Sequence, residues 1–152
     1  MVDGGAGCCV DSRILGVGMK KCIDCGEGTK RKTPHPGPRC ATHHRQKREQ
    51  RRAYNHEKHV TDTYSITYEQ YWDLYRLQGG VCAICQRATG ARRKLSVDHN
   101  HSCCKGSMSC GRCVRGLLCT SCNQLLGHLR DDPEAVKRAL HYLLWPPAWT
   151  ML

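Results

Sequence analysis

The sequence predicts a small α+β protein that zinc stabilises, and three observations support this fold class. Two Cys-x2-Cys pairs, Cys82/Cys85 and Cys119/Cys122, have the spacing of a single tetrahedral zinc site. Hydrophobic residues make up only 39% of the 152-residue chain, which has no phenylalanine, so its core needs additional support. Short alternating segments between the cysteine pairs indicate strands, and longer periodic segments on either side indicate helices.

The residues between the two cysteine pairs have a different chemistry from the pairs themselves. Four thiolates leave zinc no open position, so we expect that site to be structural. Asp98 and His99 lie between the pairs, and Asn123 directly follows the last cysteine. Carboxylate and amide oxygens suit Mg2+ or Mn2+ rather than thiolate zinc. His99 is the best candidate for a general base, because imidazole titrates near neutral pH.

A second zinc site is predicted nearer the N-terminus, in a finger-like module over residues 19–45. Its ligands would be Cys22, Cys25, Cys40 and His43, which form a closed set of three thiolates and one imidazole. His44 is an alternative fourth ligand. A flexible loop with scattered cysteines is the other interpretation, and residues 1–18 are expected to be disordered.

Four further cysteines lie close together in the sequence between the two predicted strands. They are Cys103, Cys104, Cys110 and Cys113. They can bind a third zinc ion, or they can form a redox-sensitive pair, because adjacent cysteines hold one tetrahedral ion with some strain. The sequence leaves both alternatives open.

The cysteine content and the charge also bear on location and partners. The chain has 13 cysteines but carries no signal-peptide pattern and no membrane-spanning run. Without an export route, zinc sites in the cytoplasm account for these cysteines better than disulfides do. The formal charge of +11 indicates a polyanionic partner, which can be DNA, RNA or an anionic surface.

The densest positive charge lies over residues 30–58, and residues 46–63 are expected to form a basic linker or helix. Residues 42–58 contain no proline or glycine and predict a helix. Because this segment has almost no apolar stripe, a solvated or disordered linker is the alternative. In either form, arginines on DNA phosphates position a protein without reading bases. The candidates are Arg45, Arg48, Arg51 and Arg52.

A clearer helix is predicted to begin after Thr67, which forms a capping box with Gln70. Its apolar residues recur at helical spacing, which is more typical of a core face than of base-stacking aromatics. They include Tyr68, Tyr71, Trp72 and Tyr75. Gly79 and Gly80 are expected to end the helix.

The remaining elements are predicted from local patterns. Strands are expected at residues 94–97 and 113–118, and a short helix at residues 123–130. Another helix is expected after Asp132, with Pro133 at its first position. Its apolar face, Val136, Ala139, Leu140, Leu143 and Leu144, is expected to be buried and to cover the zinc core. Residues 148–152 form a tail.

Several of these segments together resemble the phage recombination endonuclease VII family. The motifs are GGVCAIC at residues 79–85, VDHNH at residues 97–101 and VRGLLCTSCN at residues 114–123, in the family's order. The resemblance covers residues 64–145. It implies a His-Asn-His (HNH), or ββα-metal, nuclease module over residues 64–147.

The resemblance also implies roles for particular side chains. Asp98 and Asn123 would hold the Mg2+ or Mn2+ ion, and His99 would act as the base. His101 would help to bind the metal or the phosphate. From its position we add Arg115 as a candidate phosphate clamp.

One position departs from the family. The resemblance implies a catalytic glutamate where this chain has Leu126. His128, which lies further along the predicted helix, is the candidate replacement.

The expected function is divalent-metal-dependent cleavage of DNA, and the resemblance implies branched DNA. One alternative is a site-preferring or nicking HNH endonuclease of the homing or packaging type. The other is a non-enzymatic zinc protein that binds nucleic acid. No membrane partner is expected, and the location is the host cytoplasm if a phage encodes the chain. The resemblance suggests a homodimer, for which the sequence shows no long heptad seam.

Overall fold

The structure, a computed structural model, describes residues 22–26 and 37–151. In chain order, its elements are α1 (Ala41–Tyr64), α2 (Tyr68–Leu77), β1 (Ser96–His99), β2 (Val114–Leu118), α3 (Thr120–His128), α4 (Pro133–Leu144) and the 3-10 helix Pro147–Thr150. The chain is a small α+β protein, as predicted, and it divides between Arg52 and Ala53 into two compact units. Residues 1–18, for which disorder is predicted, lie outside the described residues. None of the described helices is long and apolar enough to cross a membrane.

The basic segment forms α1, which is longer than the helix that the sequence predicts. No proline or glycine interrupts its 24 residues, so the backbone hydrogen bonds continue to Tyr64. Val60 is buried and belongs to the core of the second unit. The segment is therefore a helix rather than an unstructured linker, and its last turns pack in a core.

The predicted capping box at the start of α2 is present. Thr67 Oγ1 accepts a hydrogen bond from the Gln70 backbone at 3.1 Å, and Gln70 Oε1 accepts one from the Thr67 backbone at 2.8 Å. The aromatic face of α2 packs in the core, as expected. Tyr71 is fully buried, and its hydroxyl donates to the Leu95 carbonyl at 3.0 Å. Burial of this hydroxyl raises the pKa of Tyr71 to about 12.

The two strands form an antiparallel hairpin, in which Val97 faces Leu117 and Asp98 faces Gly116. Between Asp98 and His99 the register shifts, so that His99 faces Val114. Such a bulge bends the strand and redirects the side chains beside it. The ends of the predicted strands differ slightly from those observed, because β1 includes Asp98 and His99 rather than ending before them.

α3 begins three residues earlier than the sequence predicts. Cys119 caps it, and the Asn123 backbone donates to the Cys119 carbonyl at 3.0 Å, which closes the first turn. The second cysteine pair therefore lies at the start of the helix rather than in a loop before it. Cys122 and Cys82 are both buried in the core of the second unit.

Gln78 ties the end of α2 to β2. Its side-chain oxygen accepts a hydrogen bond from the Leu117 backbone at 2.7 Å, and its amide nitrogen donates to the Leu117 carbonyl at 2.9 Å. The same nitrogen donates to the Val81 carbonyl at 3.0 Å. Through these bonds, one side chain fixes the hairpin beside the loop that carries Cys82.

The expected burial of α4 is wrong, although the helix and its cap are present. Asp132 accepts a hydrogen bond from the Glu134 backbone at 2.9 Å, and Pro133 occupies the first turn. None of the helix residues is buried, and Leu140 and Leu143 are 56% and 72% exposed. Periodicity predicts an apolar helix face, but the direction of the preceding chain decides whether anything covers it.

The loop between the strands packs against the end of α1. Ser65 Oγ donates to the Ser109 carbonyl at 2.9 Å, and the Ser109 backbone donates to the Thr63 carbonyl at 2.9 Å. Gly111 has a φ of +80°, and a Cβ there would lie 2.5 Å from the Ser65 carbonyl oxygen. This position therefore requires glycine for its conformation and also for space.

We predict that Gly111→Ala destabilises the protein more than Gly106→Ala does. Gly106 also has a positive φ, +85°, but has nothing within 4 Å of an added Cβ. Each variant should lose about 1–2 kcal/mol from the left-handed backbone, and Gly111→Ala about 1–3 kcal/mol more from the clash. Thermal unfolding with zinc in excess measures the difference. Equal unfolding midpoints for the two variants would mean that the loop can shift away from the end of α1 without a loss of stability.

Candidate zinc centres and active site

The central cysteine cluster has the geometry of a tetrahedral zinc site. The sulfurs of Cys82, Cys85, Cys119 and Cys122 all lie within 4.8 Å of one another, and those of Cys85 and Cys119 are 3.9 Å apart. Zinc–sulfur bonds of about 2.3 Å place the sulfurs of a tetrahedron about 3.8 Å apart. Backbone N–H groups of Arg87 and Ala88 lower the pKa of Cys85 to about 6, which favours the thiolate that zinc binds.

The N-terminal cluster also fits zinc, and its histidine is His43. The Nδ1 atom of His43 lies 3.3, 3.4 and 3.5 Å from the sulfurs of Cys22, Cys25 and Cys40. Zinc bonds of about 2.3 Å to sulfur and 2.0–2.1 Å to nitrogen would place these atoms about 3.6 Å apart. Cys40 directly precedes α1, and His43 lies in its first turn, so the cluster is joined to the start of the basic helix.

The cysteines between the strands form a third cluster. The sulfurs of Cys103, Cys104, Cys110 and Cys113 lie within 4.8 Å of one another, and those of Cys103 and Cys110 are 4.0 Å apart. All cysteines in the described part of the chain are free thiols. A backbone hydrogen bond from Arg112 lowers the pKa of Cys110 to about 6. This arrangement fits zinc, and the adjacent cysteines both reach the cluster.

Asp98 and His99 lie at the end of β1 and are both buried, with 6% and 4% of their surfaces exposed. Arg115, on β2 beside the bulge, binds Asp98 with two parallel hydrogen bonds. Its Nε donates to one carboxylate oxygen at 2.7 Å, and its Nη2 donates to the other at 3.0 Å. These bonds raise the pKa of Arg115, so the guanidinium remains charged.

A second carboxylate, Asp131, completes this network. Arg115 Nη2 also donates to Asp131 at 2.9 Å, and Asp131 lies 2.7 Å from the Nδ1 of His101. Partial burial acts to raise the pKa of Asp131, but the hydrogen bonds from His101 and Arg115 lower it. Asp131 was not among the predicted site residues, because it follows a helix outside every recognised motif.

The ring of His99 lies among other aromatic rings. Its centroid is 4.6 Å from that of His101 and 5.9 Å from that of Tyr64. Its Nε2 atom is buried and has no hydrogen-bond partner among the described residues. A buried polar atom without a hydrogen-bond partner is uncommon and lowers the stability of the fold, so the presence of one at His99 needs an explanation.

The three residues of α3 that the sequence analysis considered for the site, Asn123, Leu126 and His128, differ in how far they are buried. Asn123 is half-buried in the first turn of the helix, which packs against both strands. Leu126 packs against the core, so the position where the family resemblance implies a glutamate serves the fold here. His128 is exposed at the last position of the helix.

Within residues 22–26 and 37–151, two basic surfaces are present, and one of them was predicted from the sequence. Arg45, Arg48, Arg51 and Arg52 are all exposed on α1. In the second unit, four cations and the first turn of α3 line one cleft. The four are Arg87, Arg92, Arg93 and Lys94. The signal for this second surface was the ARRK run at residues 91–94, of which only Lys94 falls in a predicted element.

Comparison with known proteins identifies relatives. A family model described as recombination endonuclease VII matches residues 57–144. This range includes the candidate site residues Asp98, His99, His101, Asn123 and Asp131. The Gene 59 protein of Mycobacterium phage L5 is 49% identical over 133 residues, covering 85% of this chain and 76% of the relative. The Gene 59 protein of Mycobacterium phage D29 is 48% identical over the same shares. No solved structure matches this chain significantly.

We predict three zinc ions per chain, one for each cluster. Cys104→Ser should remove one ion and leave the helix content nearly unchanged, because its cluster lies in an exposed loop. Cys119→Ser should remove one ion and unfold the second unit, because that cluster belongs to the core. Elemental analysis and circular dichroism measure both effects.

Cys8→Ser is the control for these variants, since it changes no residue of the three clusters. Its zinc content should equal that of the wild type. Two zinc ions in the wild type, together with a disulfide among Cys103, Cys104, Cys110 and Cys113, would contradict the third site.

Proposed function

The chain belongs to the recombination endonuclease VII family, and on this premise we propose that it is a metal-dependent endonuclease that hydrolyses branched DNA. The observation that carries the proposal is the buried Asp98–His99 pair at the end of β1, beside a helix that carries Asn123. We propose that β1, β2 and α3 form the ββα-metal unit of an HNH nuclease. Such an enzyme would act in the cytoplasm of the phage's host cell.

The donor set around Asp98 fits Mg2+ or Mn2+. These ions prefer carboxylate and amide oxygens, which Asp98 and Asn123 offer on elements that pack together. When bound, the ion would neutralise the negative charge that develops on the phosphate and on the leaving oxygen. The three thiolate clusters would hold zinc for structural purposes.

His99 takes the proton from the attacking water in this mechanism. Its ring is buried and packs against Tyr64 and His101, which limits its rotation. The unpartnered Nε2 leaves one ring nitrogen able to bond to water or substrate. A general base must lie within hydrogen-bonding reach of the proton it takes, and a fixed ring maintains that geometry.

Arg115 and His101 bind the phosphate in this mechanism. A guanidinium offers several N–H donors in one plane, which match the oxygens of a phosphate. Two N–H groups of Arg115 are already directed at the carboxylates of the site. His101, whose Nδ1 lies 2.7 Å from Asp131 in the same network, would add a further contact to the phosphate.

In this proposal, one part of the chain binds DNA and another part cleaves it. The finger over residues 19–45 and the basic residues of α1 bind the DNA backbone, and residues 64–147 carry out cleavage. The cations of the cleft beside α3 add phosphate contacts near the active site. Paired cuts across a branch require two active sites, so we propose that a homodimer performs them.

Two other functions remain to be separated by experiment. A nicking HNH enzyme of the homing or packaging type would use the same residues on linear DNA. A zinc protein that only binds nucleic acid would use none of them for chemistry. The family match favours the junction-resolving enzyme, because its description is a recombination endonuclease.

We predict that the zinc-loaded protein cleaves a labelled four-way junction in Mg2+ or Mn2+ faster than a linear duplex of the same sequence. His99→Ala should lower the single-turnover rate on the order of 10²-fold or more, because the base is lost. Zinc content and DNA affinity should persist. Equal cleavage of junction and linear DNA would support the nicking enzyme instead.

His141→Ala is the matched control for His99→Ala. It removes an exposed imidazole of the same unit and should retain the wild-type rate. Full activity of His99→Ala would contradict the proposed base. The absence of cleavage from every substrate by the wild type would support the binding protein.

We predict that replacing Arg48, Arg51 and Arg52 with alanine weakens DNA binding about equally for all sequences. The slope of log affinity against log salt should flatten by about 0.9 for each phosphate that the variant no longer binds. The matched control replaces Arg76, Lys137 and Arg138, each of which pairs with a carboxylate. This control variant loses the same total charge as the α1 variant, and the slope of its log affinity against log salt should change less. Equal slopes in the two variants would mean that α1 makes no specific phosphate contacts.

A further inference from the structure

Asp131 has no role in the mechanism above, yet it is bound within the active-site network. One of its oxygens accepts from Arg115 at 2.9 Å, and the other lies 2.7 Å from His101 Nδ1. Its side chain is only 17% exposed. A carboxylate that holds two functional side chains at once is a candidate for positioning them.

The position of Asp131 is built by the end of α3. Arg130 and Asp131 both have a φ of +55°, a conformation that aspartate tolerates better than most residues. The Asp131 backbone donates to the Leu126 carbonyl at 2.9 Å. The helix end therefore turns this side chain back toward the strands instead of leading it away with α4.

Without Asp131, Asp98 and Arg115 would form a simple pair. Arg115 binds both carboxylate oxygens of Asp98, which are the atoms that a divalent ion would need. A bidentate pair of this kind is strong, so it competes with the ion. The Nη2 group of Arg115 donates to both carboxylates at nearly the same distance, 2.9 Å to Asp131 and 3.0 Å to Asp98.

We propose that Asp131 is a positioning residue that acts through Arg115: it retains the guanidinium when Asp98 binds the divalent ion. This inference rests on the proposed function. The two carboxylates, Asp98 and Asp131, and the single guanidinium of Arg115 together carry a net negative charge for a cation to neutralise. His101 contacts the other oxygen of Asp131 and so helps to fix the orientation of this carboxylate.

Asp131→Asn tests the proposal, because it removes the charge but keeps the size and the tolerance of a positive φ. Asp131→Gly removes the side chain and also fits this backbone. In zinc-loaded protein without DNA, electron paramagnetic resonance of Mn2+ measures binding of the ion. Both variants should bind Mn2+ about 10-fold more weakly or worse. Asp98→Asn should abolish this binding and so identifies the site.

The matched control is Asp132→Asn, which neutralises the neighbouring carboxylate outside the network. Asparagine still caps α4 at this position, so the fold is retained. Its Mn2+ affinity should equal that of the wild type. A loss equal to that of Asp131→Asn would mean that net charge alone sets the affinity, and it would overturn the proposal.

A double-mutant cycle with Arg115→Ala separates positioning from direct binding of the ion. If Asp131 acts through the guanidinium, the effect of Asp131→Asn should shrink to about 3-fold or less when Arg115 is absent. An undiminished or larger effect would identify Asp131 as a ligand of the ion and overturn the positioning role.

Cleavage supplies an independent measurement. High Mn2+ should restore much of the single-turnover rate of Asp131→Asn, but none of the rate lost in His99→Ala. If the wild type binds Mn2+ as described and cuts no DNA, the proposed function fails and the inference about Arg115 stands. If Asp131→Asn binds Mn2+ like the wild type, the inference fails and the proposed function stands.

Discussion

The structure of the second unit depends on the convergence of four thiols. Cys82 and Cys85 lie in the loop after α2, whereas Cys119 and Cys122 begin α3, and the hairpin that carries Asp98 and His99 lies between them in the chain. A zinc ion bound by all four thiolates would therefore connect the chain before the hairpin to the chain directly after it. The core is small, so this crosslink would replace apolar contacts that the composition cannot supply.

The hydrogen-bond network of Asp98, Arg115 and Asp131 then depends on one irregularity in the sheet. The register shift after Asp98 lets Arg115, which has no direct partner on β1, bind the Asp98 side chain across the hairpin. A regular ladder would alternate the side chains strictly between the two faces. The bulge thus brings together a buried carboxylate and a cation that the period of two would keep apart.

Local chemistry made part of this structure predictable. The Thr67–Gln70 capping box and the individual Cys-x2-Cys pairs are each contained within short stretches of sequence; the structure shows the capping box and brings the cysteine pairs together. The exposure of α4 and the return of Asp131 to Arg115 were not predictable, because both depend on two left-handed residues after α3. Neither Arg130 nor Asp131 indicates that conformation in the sequence, as glycine does at Gly79.

The chemistry of the basic surfaces limits how such a protein could select a substrate. Arginines on α1 and in the cleft beside α3 would bind phosphates, which carry no direct sequence information. Selectivity from these contacts must therefore come from the arrangement of phosphates in space, and branched and linear DNA differ in that arrangement. In the proposed mechanism, the network of Asp98, Arg115 and Asp131 would add a second requirement, because Asp131 would retain the Arg115 guanidinium near the phosphate once Asp98 binds the ion. Backbone geometry and metal occupancy would then act together at one arginine, so a wrongly placed phosphate would meet an incomplete site.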